Sequence, residues 1–284
     1  TKNPFKRCLV TMHSTYSGSS ELGVGSLPFH LYESVVARIE RSCLTRMPST
    51  TLFTGVGRPV REELERIGVA RDRISYIPNG VDIGRFHPSP DRTGIRKRFG
   101  LPEDGVILLS VGRLIPAKQP LTMLEIFSHL EKQRKGVTLC IAGGGELLEA
   151  AMNLVRRMGL ENVLFLGNVD HGRDLPDLYA CADYYMMVSK YEGGMPPLTL
   201  AEAMASGLPC IVSDIANLRV VKEADCGVVV APDDPATAAA AILGYLNEEH
   251  PDHAMNARRY AEKVLNWESI SERYVNMFEC LTTG

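Results

Sequence analysis

The stretch VILLSVGRLIPAKQPLTMLEIFSHLEKQRKGVTLCIAG, residues 106–143, decides the fold class. It opens with VILLSVG, a continuous apolar run of the kind expected of a strand covered on both faces. Residues 119–135 follow with helical spacing, Met123, Phe127 and Leu130 standing at i, i+4 and i+7. VTLCIAG is then a second buried strand. Strand, helix and strand within forty residues make a βαβ unit, and such a unit implies a parallel sheet.

Outward from there the alternation continues. GELLEAAMNLVRRMG is a helix ending at Gly159, a residue type suited to the position just past a helix. NVLFLG, DLPDLYACA, DYYMMVS, PLTLAEAMASG, LPCIVSD and CGVVVAP keep alternating, and helices begin near Pro235 and His253. NWESISERYVNMFECL reads as a closing amphipathic helix. Residues from about 105 to about 265 therefore predict one complete doubly wound domain. The part before about residue 78 offers KRCLVTMHS, STTLFTG and ISYIPNG as strands and two helical stretches between them. That is too few strands for a full sheet of this type. VDIGRFHPSPDRTG, rich in turn formers, reads as a linker.

Bulk properties narrow the function classes. The chain has 284 residues, 45% of them hydrophobic and 23% charged, as in ordinary globular proteins. No apolar run approaches the ~20 residues of a membrane span, and no leader of the export type is seen. The sequence starts at Thr1, which reads as a fragment with an upstream part absent. The seven cysteines lie far apart and read as buried free thiols in a reducing, cytoplasmic compartment. Net charge is −3, but up to Ile77 there are 11 Lys and Arg against 7 Asp and Glu, and after it 20 against 27. The basic N-terminal part could face an anionic membrane, at the inner face of which the protein would sit peripherally. A solvated surface is the alternative. No nucleic-acid partner is indicated.

In a doubly wound sheet, ligands bind at the carboxyl ends of the strands, and the informative residues stand there. Gly112, Arg113 and Lys118 follow the first strand of the domain. Two cations in that loop can hold two phosphates, the arginine by its fork and the lysine as a point charge. Read alone, two solvated loop charges remain the alternative. GGGELL lacks the third glycine of a dinucleotide fingerprint, since Leu148 occupies it. GSSELGV has P-loop spacing between Gly18 and Gly23, but Val24 replaces the lysine. In EGGMPPLTLAEAMASGLP, Glu192–Pro209, Pro196 and Pro197 predict a helix start. Gly193 and Gly194 let the chain approach a ligand closely. The helix N-terminus favours an anion. Glu202, amid apolar helix residues, can accept from a vicinal diol such as a ribose; Glu192 can do the same for a sugar. An ion-paired helix residue is the alternative for Glu202. His13, at the end of the first strand, is either structural or ligand-binding. No H-E-x-x-H, C-x-x-C, D-x-D or G-x-S-x-G pattern occurs, so neither a metal site nor a nucleophile elbow is expected.

IPNGVDIGRF, LLSVGRLIPAKQ, IAGGGELLEAAMNLVRRMGLENVLFLGNV, LYACADYYMMVS, EGGMPPLTLAEAMASGLPCIVSD, CGVVVAPDD and NWESISERY occur in this order. Together, from Ile74 onward, they resemble the retaining glycosyltransferases of family 4, with the GT-B fold. The resemblance implies two Rossmann-like domains facing a cleft: an acceptor-side domain over residues 1–85, incomplete here, and a nucleotide-sugar domain over 86–265. Residues 266–284 would form the helix that crosses back to the first. It implies transfer of a hexosyl unit from a UDP- or GDP-linked sugar to a glycan or lipid hydroxyl, with retention and without a metal or cofactor. His13, Arg113, Lys118 and Glu192 take the catalytic roles. Arg113 and Lys118 hold the diphosphate, Asn168 and Val169 meet the base, Glu202 the ribose and Glu192 the sugar. Gly112, Gly193, Gly194 and Leu198 line the donor. Two departures stand out. Nine residues separate Glu192 from Glu202, where seven usually lie between, and DIANLRVV replaces a glycine-rich segment. An NDP-sugar epimerase on the same fold and a donor-binding remnant without activity are the alternatives.

Overall fold

The computed structural model describes residues 7–13, 15 and 27–283, except the side chains of residues 27–31, 33, 282 and 283. The stretch Gly18–Val24 lies outside them. The chain divides into two compact units. The first holds residues up to Asn79, the short segment Glu192–Pro197 and the chain end from Trp267. The second holds Gly80–Tyr191 and Leu198–Asn266.

In the first unit, β1 (Cys8–Met12), α1 (Leu27–Thr45), β2 (Thr51–Gly55), α2 (Arg58–Ile67) and β3 (Ile74–Tyr76) follow in sequence. The strands form a parallel sheet in the order β1-β2-β3. Phe53, Val60, Leu64 and Ile74 are buried together between that sheet and α2. Gly68 closes α2 in the left-handed conformation, its N–H donating to the Leu64 and Glu65 carbonyls, which satisfies the helix end.

The second unit runs α3 (Arg92–Arg98), β4 (Val106–Val111), α4 (Pro120–Gln133), β5 (Val137–Ala142), α5 (Leu148–Met158), β6 (Val163–Gly167), α6 (Leu175–Cys181) and β7 (Tyr184–Met187). Then come α7 (Leu198–Ala205), β8 (Cys210–Ser213), α8 (Val220–Glu223), β9 (Gly227–Val230), α9 (Pro235–Asn247) and α10 (His253–Tyr260). The closing helix α11 (Trp267–Thr283) belongs to the first unit. All six strands are parallel, in the order β6-β5-β4-β7-β8-β9. The predicted helical stripe Met123, Phe127 and Leu130 is buried with Leu139, Ile141, Ile211 and Ile242 in one core. Each such side chain contributes roughly 1.5–3 kcal/mol of burial.

The stretch read as a linker is a packed part of the second unit. Val81 and Phe86 are buried, and the Val81 N–H donates to the Leu265 carbonyl at 2.7 Å. Its end forms α3, which sequence reading did not find. Asp91 caps that helix by accepting from the Gly94 N–H at 3.0 Å, a turn-former signal put to helical use. The helix is fastened by charge. Asp183 accepts from Arg92 at 2.5 Å, from Arg96 at 2.7 Å and from the Ile107 N–H at 2.7 Å. Of the seven cysteines, Cys140, Cys181, Cys210 and Cys226 are buried free thiols, whereas Cys43 and Cys280 are exposed. Among the described residues no helix is long and apolar enough to cross a membrane.

Candidate donor-binding site

The strand order places the first strand of the second unit, β4, beside the fourth, β7. Connections leave these two strands in opposite directions, so a crevice opens beyond their carboxyl ends. Gly112 and Arg113 come directly after β4, and a 3-10 turn over Pro116–Lys118 leads into α4. That turn is tied to the end of β7, the Lys190 N–H donating to the Ala117 carbonyl at 2.9 Å. Beyond β7 the Ser189 N–H donates to Ser213 Oγ at 2.9 Å, and Ser213 Oγ–H donates back to the Ser189 carbonyl at 2.7 Å. The crevice floor is therefore fixed by a backbone bond at the turn and by the Ser213 hydroxyl beyond β7.

Two recesses open here, and Arg113 lines both. One, of about 30 Å³, lies between β4 and β7 and is lined by Gly112, Arg113, Lys118 and Ser189 among others. The other, of about 360 Å³, spans the ends of β4, β5 and β6. Its walls include Gly112, Arg113, Gly143, Gly144, Asn168 and Val169. Arg113 is exposed and Lys118 half-buried. The structure thus brings together Gly112, Arg113, Lys118, Asn168 and Val169 of the residues singled out from sequence.

Glu202 lies on the second turn of α7, buried to 7% exposure. Its Oε1 is 2.8 Å from His171 Nε2, and the Tyr179 hydroxyl lies 3.0 Å from both Oε2 and the Thr199 carbonyl, its one proton shared between the two acceptors. Burial raises its pKa above the ordinary carboxylate value, opposed by the His171 hydrogen bond and charge, the Tyr179 hydrogen bond and the charge of Arg85. Burial likewise pushes the Tyr179 phenol well up, so it stays a donor. The carboxylate is therefore not idle in the helix: it is held at both oxygens. An ionised carboxylate has about four acceptor positions, so each oxygen keeps one beyond these partners. His171 and Tyr179 were not found from sequence. His171 stands only three residues after Asn168 on the same loop, but nothing in the pattern pairs it with a helix thirty residues on.

The motif Glu192–Pro209 is split between the units. Glu192–Pro197 packs with the first, where the Met195 N–H donates to the Val56 carbonyl at 2.9 Å. Tyr76 Oη donates to the Met195 carbonyl at 2.8 Å, and Asn79 Nδ2 to the Pro196 carbonyl at 3.1 Å. Glu192 is buried, and Gly193 and Gly194 are half-buried. A Cβ at Gly194 would meet Asn79 Nδ2 at 2.2 Å, so that glycine serves packing against Asn79. Pro196 and Pro197 precede the helix instead of opening it. It begins at Leu198, which is 55% exposed. His13 is exposed just past β1, in the first unit. Among the described residues, no group of three or more His, Cys, Asp or Glu side chains is gathered to hold a metal ion.

The profile of the Glycosyl transferases group 1 family matches residues 91–264. The chain belongs to that family. The profile described as Glycosyltransferase Family 4 matches residues 4–85 of the same group 1 chain. Among curated proteins it is similar to D-inositol 3-phosphate glycosyltransferase 2 of Catenulispora acidiphila, 32% identical over 240 residues, 80% of this chain and 55% of that protein. It is also similar to the UDP-Gal:alpha-D-GlcNAc-diphosphoundecaprenol alpha-1,3-galactosyltransferase of Escherichia coli, 32% identical over 167 residues, 57% of this chain and 42% of that one. The chain spans about half the length of the D-inositol 3-phosphate glycosyltransferases it matches. Among solved structures, WaaG, a glycosyltransferase involved in lipopolysaccharide biosynthesis, superposes with a TM-score of 0.79 at 20% identity, over 99% of this chain and 79% of that one. Anabaena Alr3699/HepE in complex with UDP and glucose gives 0.78 at 19% identity, over 96% and 71%. The chain thus has the GT-B fold, with a three-stranded N-terminal sheet among the described residues.

Proposed function

We propose that this chain carries the donor site of a retaining glycosyltransferase. It would move a hexosyl unit from a UDP- or GDP-linked sugar to an acceptor hydroxyl on a glycan or lipid. The reading rests on one observation above the others: Arg113 and Lys118 line a crevice at the point where the strand order reverses. Departure of a diphosphate builds negative charge on its oxygens, and two preorganised cations meet that charge as it develops. Asn168 and Val169 in the larger recess suit the base, and Glu202 the ribose. Glu192 and His13, assigned through the family resemblance, would read the transferred sugar. The reading includes a cytoplasmic setting with the basic N-terminal part toward an anionic membrane face. A screen of UDP-, GDP- and ADP-sugars with lipid and glycan acceptors tests it. One donor should be consumed only with acceptor present, and the product's anomeric coupling should match that of the donor. Conversion of the donor to an epimer without acceptor would overturn the reading.

Transfer is expected to survive excess EDTA, because Arg113 and Lys118 supply the charge that a divalent ion would otherwise supply. Activity lost on chelation and restored by magnesium or manganese would contradict this.

The two glutamates should separate kinetically. Glu192→Gln is expected to leave nucleoside diphosphate affinity unchanged and to lower kcat at least about tenfold. That is the size of a charge-assisted hydrogen bond lost in the reacting complex. Calorimetry with the bare nucleotide and initial rates with the donor check it. Unchanged kcat would leave the family's first motif glutamate without a counterpart here.

A further inference from the structure

The surroundings of Glu202 hold a feature that packing does not explain. The His171 side chain is 61% exposed, yet both its ring nitrogens are engaged. Nε2 lies 2.8 Å from Glu202 Oε1, and Nδ1 lies 3.1 Å from Arg85 Nη2. A guanidinium has only donors. Nδ1 must therefore accept, the ring proton must sit on Nε2, and Nε2–H must donate to the carboxylate. Arg85 thus selects the tautomer that Glu202 requires, the usual part played by the second partner of a functional histidine. Fixing an exposed side chain costs conformational entropy, which argues for a use beyond stability.

The framework carrying Arg85 is anchored to the helix that carries Glu202. Asp82 Oδ1 accepts from the Gly84 and Arg85 N–H groups at 3.0 and 3.1 Å, shaping the turn. Arg258 of α10 reaches the Ile83 and Phe86 carbonyls at 3.1 and 2.8 Å, and the carbonyl of Ala205, the last residue of α7, at 2.7 Å. Phe86 packs against the His171 ring at 5.8 Å and edge-on against Tyr179 at 5.7 Å between centroids. Arg85, His171, Glu202 and Tyr179 are in this way held as one set.

We infer that His171, with its tautomer set by Arg85, is a positioning residue that holds the Glu202 carboxylate for the ribose hydroxyls and so selects ribonucleotides over deoxyribonucleotides. The inference rests on reading Glu202 as the ribose acceptor. A carboxylate fixed at one position of each oxygen presents its remaining two in a set direction, as a vicinal diol requires. Without His171 the carboxylate keeps only Tyr179 and can turn away.

Calorimetry with UDP, GDP and their 2′,3′-dideoxy counterparts tests this on wild type, Glu202→Gln, His171→Ala and His171→Gln. His171→Ala is expected to weaken the ribonucleotide about tenfold and to leave the dideoxy ligand unchanged. His171→Gln should retain affinity within about threefold, because its amide N–H can replace Nε2–H. Equal weakening of both ligands by His171→Ala would make the ring a structural element only and overturn the inference. So would no change with either ligand while Glu202→Gln still discriminates between them. If Glu202→Gln itself fails to discriminate, the ribose reading falls and the inference falls with it.

Discussion

Replacing Arg113 and Lys118 together by alanine is expected to weaken nucleoside diphosphate binding by about a hundredfold or more. Each charge-assisted phosphate contact is worth roughly 1.5–3 kcal/mol, and every 1.4 kcal/mol is tenfold in affinity. Each single variant should lose about tenfold. Because both cations would serve one ligand under the proposed reading, the two losses need not add without coupling, and the double variant sets the scale. Urea unfolding of the same variants separates a loss of fold from a loss of binding, and Arg113 is exposed. Calorimetry with UDP and GDP checks the result. Unchanged affinity in the double variant would remove the diphosphate assignment.

Gly143→Ala should be strongly damaging to the second unit. A Cβ there would lie 2.0 Å from the Gly112 carbonyl oxygen and 2.9 Å from its carbon, and Gly143 has φ +135°. Both objections concern backbone, so no side-chain rotation relieves them. The Gly143 N–H donates to the Gly167 carbonyl at 2.7 Å, and the Gly112 N–H to the Ala142 carbonyl at 3.0 Å. The ends of β4, β5 and β6 are laced at this point, which also walls the larger recess. Overpacking and backbone strain together predict a loss of about 3 kcal/mol. Urea unfolding should show the shift, and nucleotide affinity should fall with it. A variant with wild-type stability and affinity would mean that Gly112 moves freely, against the lacing just described.

The doubly wound unit was legible because its signals are local. Strand runs such as VTLCIA are fully buried, and the α4 stripe faces one core, so periodicity alone reports them. The cations after β4 were legible for the same reason: a loop after a strand can be read without knowing its neighbours. What escaped depends on contacts distant in sequence. Phe86 sits among turn formers and looks like linker until it meets His171 and Tyr179, about ninety residues away. His171 gives no local sign of its bond to Glu202. The two residues extra between Glu192 and Glu202 could be counted. That Val56, Tyr76 and Asn79 hold this segment in the first unit could not. Pro196 and Pro197 were read as helical because prolines favour a first turn, but here they only precede it.

The strand order also carries a consequence for how the chain acquires its crevice. All six residues of β4 are in register with β5, close in sequence. Its other neighbour, β7, matches it at Leu108 with Tyr184 and Leu109 with Tyr185, some seventy-five residues apart. Loop closure over such a distance is entropically slow, and few paired residues reward it. The halves β4–β6 and β7–β9 can each zip from near neighbours. Their seam is then the late step of folding. The recess between β4 and β7, lined by Arg113, Lys118 and Ser189, is completed only across that seam, so a ligand held there would act as a staple on the last joint to close.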